Sequence, residues 1–131
     1  MSSSEVFIRV RYGETDRMGY CYYGNYAQYF EVGRVEALRS KGLSYKELED
    51  QGIALPVSHY SVEYKRPAYY DDELKVVTHI RECTGTRIHF DYEIFNQLEE
   101  LLCTAQTTLV FVSMETGRPL RAPEQVMQLL A

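Results

Sequence analysis

The chain has 131 residues, of which 45% are hydrophobic, and a formal net charge of −5; this suffices for one buried core rather than several domains. The acidic balance argues against general nucleic-acid binding but leaves room for a local basic patch that meets phosphates. No stretch reads as a secretory leader or a membrane span. Cys21, Cys83 and Cys103 are an odd count without a CxxC pair, which fits a reducing cytoplasm better than a disulfide framework.

Val6, Ile8, Val10 and Tyr12 alternate with Phe7, Arg9 and Arg11, a first strand with one core face. Tyr12 to Tyr26 contains three glycines and no sustained period, so it is a loop. Helical spacing follows. Tyr26, Phe30, Gly33 and Ala37 form a stripe flanked by Tyr29 and Leu38, and Gly42 is a natural stop. Asn25 is the expected N-cap, with Gln28 completing a capping-box variant. A helical glycine costs about 1 kcal/mol relative to alanine, so Gly33 points to close approach of another backbone.

Ser44-Tyr45-Lys46-Glu47 opens a short second helix that Gly52 ends. Ile53 to Arg66 reads as extended, and its apolar phase slips between Val57 and Tyr60, which predicts a bulge. Pro56 predicts an edge or irregular start, and Pro67 closes the run. Tyr70 to Glu73 is a polar turn. Leu74, Val76, Thr78 and Ile80 then share one face. After Thr84-Gly85, so do Ile88, Phe90, Tyr92 and Ile94, with Arg87, His89, Asp91 and Glu93 opposite. Beyond Asn96-Gln97, Leu101 to Val112 is apolar or threonine-rich on both faces, which predicts a strand covered on both sides. Thr116 to Pro119 is a turn, and Pro123 at N1 starts a terminal helix through Val126, Met127, Leu129 and Leu130. A run of strands with segregated helices means an α+β fold with a mainly antiparallel sheet. No repeat or linker divides it, so the expectation is a single domain over residues 1–131.

The chemistry concentrates where the loop enters the helix. The first N–H groups of a helix lack internal partners and sit at its positive end, where they stabilise an anion, including one that develops during a reaction. Gly24 would let a substrate approach closely. Asp16 lies just upstream and could be turned toward that helix end, although a loop aspartate there is also the usual turn or cap residue. Five of the twelve tyrosines, Tyr20, Tyr22, Tyr23, Tyr26 and Tyr29, crowd this junction, as a pocket wall or a subunit contact. Cys21 reads as a small buried hydrophobe rather than a nucleophile.

Thr15-Asp16, Gly19, Tyr22-Tyr23, Asn25-Tyr26, Phe30-Glu31 and Arg34, with the later run Glu63 to Leu74, resemble the 4-hydroxybenzoyl-CoA thioesterase family of hotdog-fold acyl-CoA thioesterases, and the likeness spans nearly the whole chain. The resemblance implies a sheet wrapped around the long helix, with Asp16 as the catalytic carboxylate. It implies that the Tyr23 backbone N–H polarises the thioester carbonyl. Many short-chain members carry histidine where this chain has Tyr23, whereas the hydroxybenzoyl-CoA type carries tyrosine. The implied substrate is a short-chain or aromatic acyl-CoA, with coenzyme A as part of the substrate and no separate cofactor. Asp16 would act as nucleophile or as general base.

Tyr26 and Gly24 are then substrate-binding candidates. Lys65, Arg66, Arg87 and Arg121, together with Arg118, are the cations available for the coenzyme A phosphates. Glu31 is a second carboxylate candidate, but Arg34 at i+3 is its expected ion-pair partner. His59, His79 and His89 make no metal spacing, and the last two sit on polar strand faces open to solvent, so no metal is expected. Two other readings stand beside hydrolysis. One is a non-catalytic hotdog module that binds acyl-CoA or a protein. The other is a hotdog dehydratase, which needs a histidine near the helix, and there is none from Met1 to Gln51. The small size, the two-faced Leu101–Val112 run and the surplus of tyrosines predict a homo-oligomer. The resemblance implies a dimer or dimer of dimers, a homotetramer, in which Asp16 of one subunit faces the Tyr23 helix start of the other. A cytoplasmic enzyme that neither enters membranes nor binds nucleic acid is expected.

Overall fold

The structure is a computed structural model and describes residues 2–130; Met1 and Ala131, the ends of the expected domain, lie outside the described residues. Strand β1 spans Ser2–Arg9, with Val6 and Ile8 turned toward the core and Phe7 exposed. Its alternation is as expected, but it stops before Tyr12. Val10 is still buried and its amide donates to the Asp72 carbonyl. Beyond it the Glu14 carboxylate accepts the Arg11 amide and winds Tyr12–Glu14 into a 3₁₀ turn, which leaves Tyr12 exposed.

Helix α1 spans Tyr26–Ser40 and buries Tyr26, Tyr29, Phe30, Gly33, Ala37 and Leu38, the expected stripe, together with Arg34. A Cβ built on Gly33 would lie 2.5 Å from Thr78 Oγ1 and 3.0 Å from Val76 Cγ1, so the helix does ride close on a strand. Gly42 ends the helix region at φ +87°, which favours glycine. Asn25 takes the N-cap position of α1, as expected, but its side chain makes no capping hydrogen bond. It has helical φ and ψ and belongs to a 3₁₀ turn, Tyr23–Asn25, that runs into α1. Its side chain instead donates to the carbonyls of Glu14 and Tyr22. Arg34 does not pair with Glu31. It turns inward and its Nε donates to the Tyr45 hydroxyl at 3.0 Å, leaving Glu31 exposed. Helix α2 spans Tyr45–Asp50, capped by Ser44 Oγ, which accepts from the Glu47 amide.

The remaining strands are β2 (Ile53–Ala54), β3 (Val57–Tyr64), β4 (Glu73–Thr84), β5 (Arg87–Phe95), β6 (Leu101–Val110) and β7 (Val112–Ser113), followed by helix α3 (Glu124–Leu130). The main sheet is antiparallel with order β1-β4-β5-β6-β3, and β2 pairs with β7. Its inner face (Leu74, Val76, Ile80, Ile88, Phe90, Tyr92, Ile94, Leu109) belongs to the same core cluster as Phe30, Ala37 and Leu38 of α1. This is the hotdog arrangement. The bulge in β3 falls between Val57 and His59, and β3 is an edge strand whose side chains are almost all exposed.

Strand β6 departs from expectation. Cys103, Ala105, Thr107 and Leu109 are buried, but Thr104 and Thr108 are only half-buried and Gln106 is exposed. The threonines have polar neighbours across the sheet rather than an apolar cover, as where Thr108 Oγ1 meets His89 Nδ1 at 2.9 Å. That contact also holds His89 half-buried rather than open to solvent. Pro123 precedes α3 and its carbonyl accepts the amides of Val126 and Met127; of the expected apolar stripe Val126 is buried, while Met127 and Leu129 remain exposed.

Candidate active site

The loop before α1 is a miniature hairpin. Thr15 and Cys21 form an antiparallel bridge, and the Asp16 amide donates to the Tyr20 carbonyl at 2.8 Å. Asp16 Oδ1 accepts the amides of Met18 at 2.9 Å and Tyr20 at 3.2 Å. Gly19 closes the turn at φ +82°. Asp16 is therefore a turn residue, as an aspartate before a helix commonly is. Only one oxygen is used, however; among the described residues none donates to Oδ2, and the side chain is half-buried.

The chain then turns into the helix. The Tyr22 amide donates to the Glu14 carbonyl and the Cys21 amide to the Ala68 carbonyl, which ties the loop to the segment after β3. Tyr23 begins the helical turn, and among the described residues no acceptor is bonded to the amides of Tyr23 or Gly24. These are the free donors of a helix start. From β3, the Tyr64 hydroxyl donates to the Tyr23 carbonyl at 3.4 Å.

A cavity of about 300 Å³ opens here. Asp16, Tyr20, Tyr23, Tyr26 and Tyr64 wall it, with Met18, Cys21 and Pro67, and Lys65 and Arg66 complete the lining. Burial pushes both the Tyr26 phenol and the Cys21 thiol up, so both are neutral at physiological pH. Cys21 is 6% exposed and its thiol lies 3.3 Å from the Tyr29 hydroxyl, the setting of a packed hydrophobe rather than an activated thiolate. Lys65 pairs with Glu63 at 2.6 Å and Arg66 with Glu100 at 3.5 Å.

One chain thus brings Asp16, Tyr23, Tyr26, Lys65 and Arg66 together. Asp16 and its own chain's helix start at Tyr23 line the same cavity. The structure does not bring Gly24, Arg87 or Arg121 to this cavity. The space beside Gly24 is filled by the Tyr22 ring, whose Cε2 would lie 2.7 Å from an added Cβ. Arg87 pairs with Val110, whereas Tyr64 pairs with Cys103 on the same strand β6. The seven residue steps between those rungs span about 24 Å at roughly 3.4 Å each. Arg121 is held at the Arg87 end, where the next residue, Ala122, donates to the Gly85 carbonyl.

Sequence reasoning missed Glu14. It is 8% exposed, and its carboxylate accepts the Arg11 amide at 2.9 Å, the Arg11 guanidinium at 3.3 Å and the Tyr29 hydroxyl at 2.8 Å. Burial pushes its carboxyl up, but these donors outweigh burial and hold it below the ordinary value. The Arg11/Glu14 spacing was the available signal. A larger hollow, about 630 Å³, lies on the outer sheet face among Glu63, His79, Asp91, Glu93 and Gln106. It includes no helix start, unlike the smaller tyrosine-walled cavity. His79 meets Glu93 at 3.3 Å in that outer hollow.

Residues 10–130 match the model of the thioesterase-like superfamily. The acyl-CoA thioester hydrolase YbgC of Escherichia coli is 32% identical over 92% of this chain and 90% of its own length. Among solved structures, the DHNA-CoA thioesterase of Staphylococcus aureus superposes with a TM-score of 0.90 at 40% identity, covering 92% of this chain and 81% of its own. A 1,4-dihydroxy-2-naphthoyl-CoA thioesterase from Synechocystis gives 0.90 at 26% identity, covering 98% and 96%.

Proposed function

Since the chain belongs to the thioesterase-like superfamily, we propose that its tyrosine-walled cavity hydrolyses acyl-CoA thioesters, short-chain or aromatic, to the free acid and coenzyme A. One observation carries this reading: a half-buried carboxylate, Asp16, and the helix start at Tyr23 line the same cavity. The thioester carbonyl oxygen takes the Tyr23 amide as donor. As the carbonyl carbon becomes tetrahedral, negative charge grows on that oxygen and the helix start stabilises it. Oδ2 of Asp16 either attacks the carbon directly or draws a proton from an attacking water. Collapse expels the coenzyme A thiolate. In the first route a water then hydrolyses the acyl-aspartate anhydride at its aspartyl carbon, and the acid leaves with an Asp16 oxygen; in the second the acid forms at once. A single turnover in ¹⁸O-labelled water separates them, because the first route puts the label into Asp16 and leaves the first acid released unlabelled, whereas the second labels the acid.

The four tyrosines offer flat apolar walls to the acyl group. Lys65 and Arg66 are the cations this chain itself supplies for coenzyme A. A second copy would supply more. The exposed edge of β3 is free to pair antiparallel with the same edge of a second subunit, which sets the Tyr64 end of one β3 beside the Val57 end of the other. Arg87, and Arg121 beside it, mark the Val57 end. On this reading the working unit is a homodimer or a dimer of dimers that acts in the cytoplasm without a metal. No helix of the described residues is long and apolar enough to cross a membrane.

The test is steady-state release of free thiol from acetyl-, hexanoyl-, lauroyl- and benzoyl-CoA. Asp16→Asn should retain the fold and lose at least about a hundredfold in kcat, the low end for acid–base catalysis. No thiol release from any thioester, or near-parent turnover by Asp16→Asn, overturns the reading. Loss in Glu31→Gln instead would give the helix carboxylate the role.

A further inference from the structure

We propose that Glu14 is a positioning residue, whose buried carboxylate and backbone carbonyl clamp the Asp16 hairpin onto the start of α1 and so hold Asp16 in register with the Tyr23 amide. The inference rests on the reading of Asp16 and Tyr23 given above. Glu14 reaches three separate pieces of chain at once. Its carboxylate takes the Arg11 amide and guanidinium on the strand side and the Tyr29 hydroxyl from the body of α1. Its backbone carbonyl takes the Tyr22 amide and the Asn25 side-chain amide, both at 2.8 Å, on either side of Tyr23. Tyr29 in turn touches the Cys21 thiol at 3.3 Å, on the closing strand of the hairpin that carries Asp16.

A buried carboxylate is an expensive way to fill space. Taking its charge out of water is costly unless its lone pairs find donors. An apolar side chain would pack this position at less cost. What the carboxylate supplies is direction: its hydrogen bonds fix the hairpin, α1 and the end of β1 in one geometry, where an apolar contact would let them slide. Asp16 lies two residues along that hairpin and shares its cavity with Tyr23. Lys65 and Arg66, by contrast, follow β3, donate their backbone amides to the Leu102 carbonyl of β6 and do not depend on the clamp. Loosening Glu14 should therefore disturb the reacting groups and spare substrate binding.

The experiment combines steady-state kinetics on the best thioester with a double-mutant cycle. Glu14→Gln and Tyr29→Phe preserve volume, and circular dichroism establishes that each folds. Glu14→Gln should lower kcat by about ten- to a hundredfold, the cost of misplacing a reacting group by about 1 Å, while KM moves less than twofold. Tyr29→Phe, which removes one donor, should fall the same way by less. In an Asp16→Asn background Glu14→Gln should change the residual rate less than twofold, because its target is gone. Parent-like kcat in both folded variants overturns the proposal. So does an effect of Glu14→Gln that is as large without Asp16 as with it, which would mark a merely structural residue. Near-parent turnover by Asp16→Asn overturns the reading of the site and this inference with it. Loss in Asp16→Asn beside parent-like Glu14→Gln overturns only the role of Glu14.

Discussion

Replacing Gly33 with alanine tests how closely α1 sits on the sheet. In an open helix the change would stabilise by about 1 kcal/mol, because glycine is the poorer helix former. Here the added Cβ would lie 2.5 Å from Thr78 Oγ1 and 3.0 Å from Val76 Cγ1. Both residues are fully buried on β4 and both are β-branched, so neither can swing away. Helix and strand must part instead. Overpacking of this kind costs about 1–3 kcal/mol, and a 2.5 Å contact belongs at the upper end. The net effect should be a loss of about 1–2 kcal/mol, or roughly 4–8 °C in Tm at this chain length. The assay is urea and thermal unfolding at fixed protein concentration. Thr78→Ala supplies the control. Its hydroxyl has no hydrogen-bond partner among the described residues, so removing it orphans nothing. The double variant Gly33→Ala/Thr78→Ala should recover about 1 kcal/mol relative to additivity. Gly33→Ala as stable as the parent, or strict additivity with Thr78→Ala, would refute the close approach.

Tyr23→Pro deletes the proposed carbonyl donor. It should fold, since proline suits the first turn of a helix and the preceding Tyr22 already has φ −63° and ψ 132°. Its kcat should fall by about 10²–10³-fold, whereas Tyr23→Phe, which retains the amide, should stay near the parent. Because the Glu14 carboxyl is held below its ordinary value of 4.5 when folded, it stabilises the protein above that pH and loses this contribution as pH falls through the depressed value. The stability gap between the parent and Glu14→Gln should accordingly be full near neutrality and shrink below pH 4.5 in urea titrations. Light scattering should give a mass of two or four chains. Mixing Asp16→Asn with Arg87→Glu subunits should restore activity through hybrid sites that hold one intact Asp16 and one intact Arg87. A monomer with full activity, or no gain on mixing, would remove Arg87 from the site.

Much of this protein follows from local pattern. Alternation placed Val6, Ile8, Ile88, Phe90, Tyr92 and Ile94 on the inner face, and helical spacing placed Tyr26, Phe30, Gly33 and Ala37 there. These periods are properties of the backbone, and burial of one face is all they require. The loop aspartate ahead of a helix start was legible for a similar reason, because Asp16 and Tyr23 lie only seven residues apart in the chain. Partnership across the fold was not legible. Arg34 chose Tyr45 over the nearby Glu31 because its side of α1 turns into the core, where a hydroxyl was waiting and a second charge was not. Glu14 meets Tyr29 only because the helix brings that hydroxyl back over the loop, 15 residues on. Tyr64 reaches Tyr23 across 41 residues of sequence, and that closure makes the cavity. Arg87 and Arg121 were grouped with Lys65 by charge alone, yet the antiparallel ladder sets them at the opposite end of β6 from Tyr64. A periodic pattern tells which face a residue takes; which residue it meets there is decided by strand register and helix placement, and those exist only once the sheet has closed around α1.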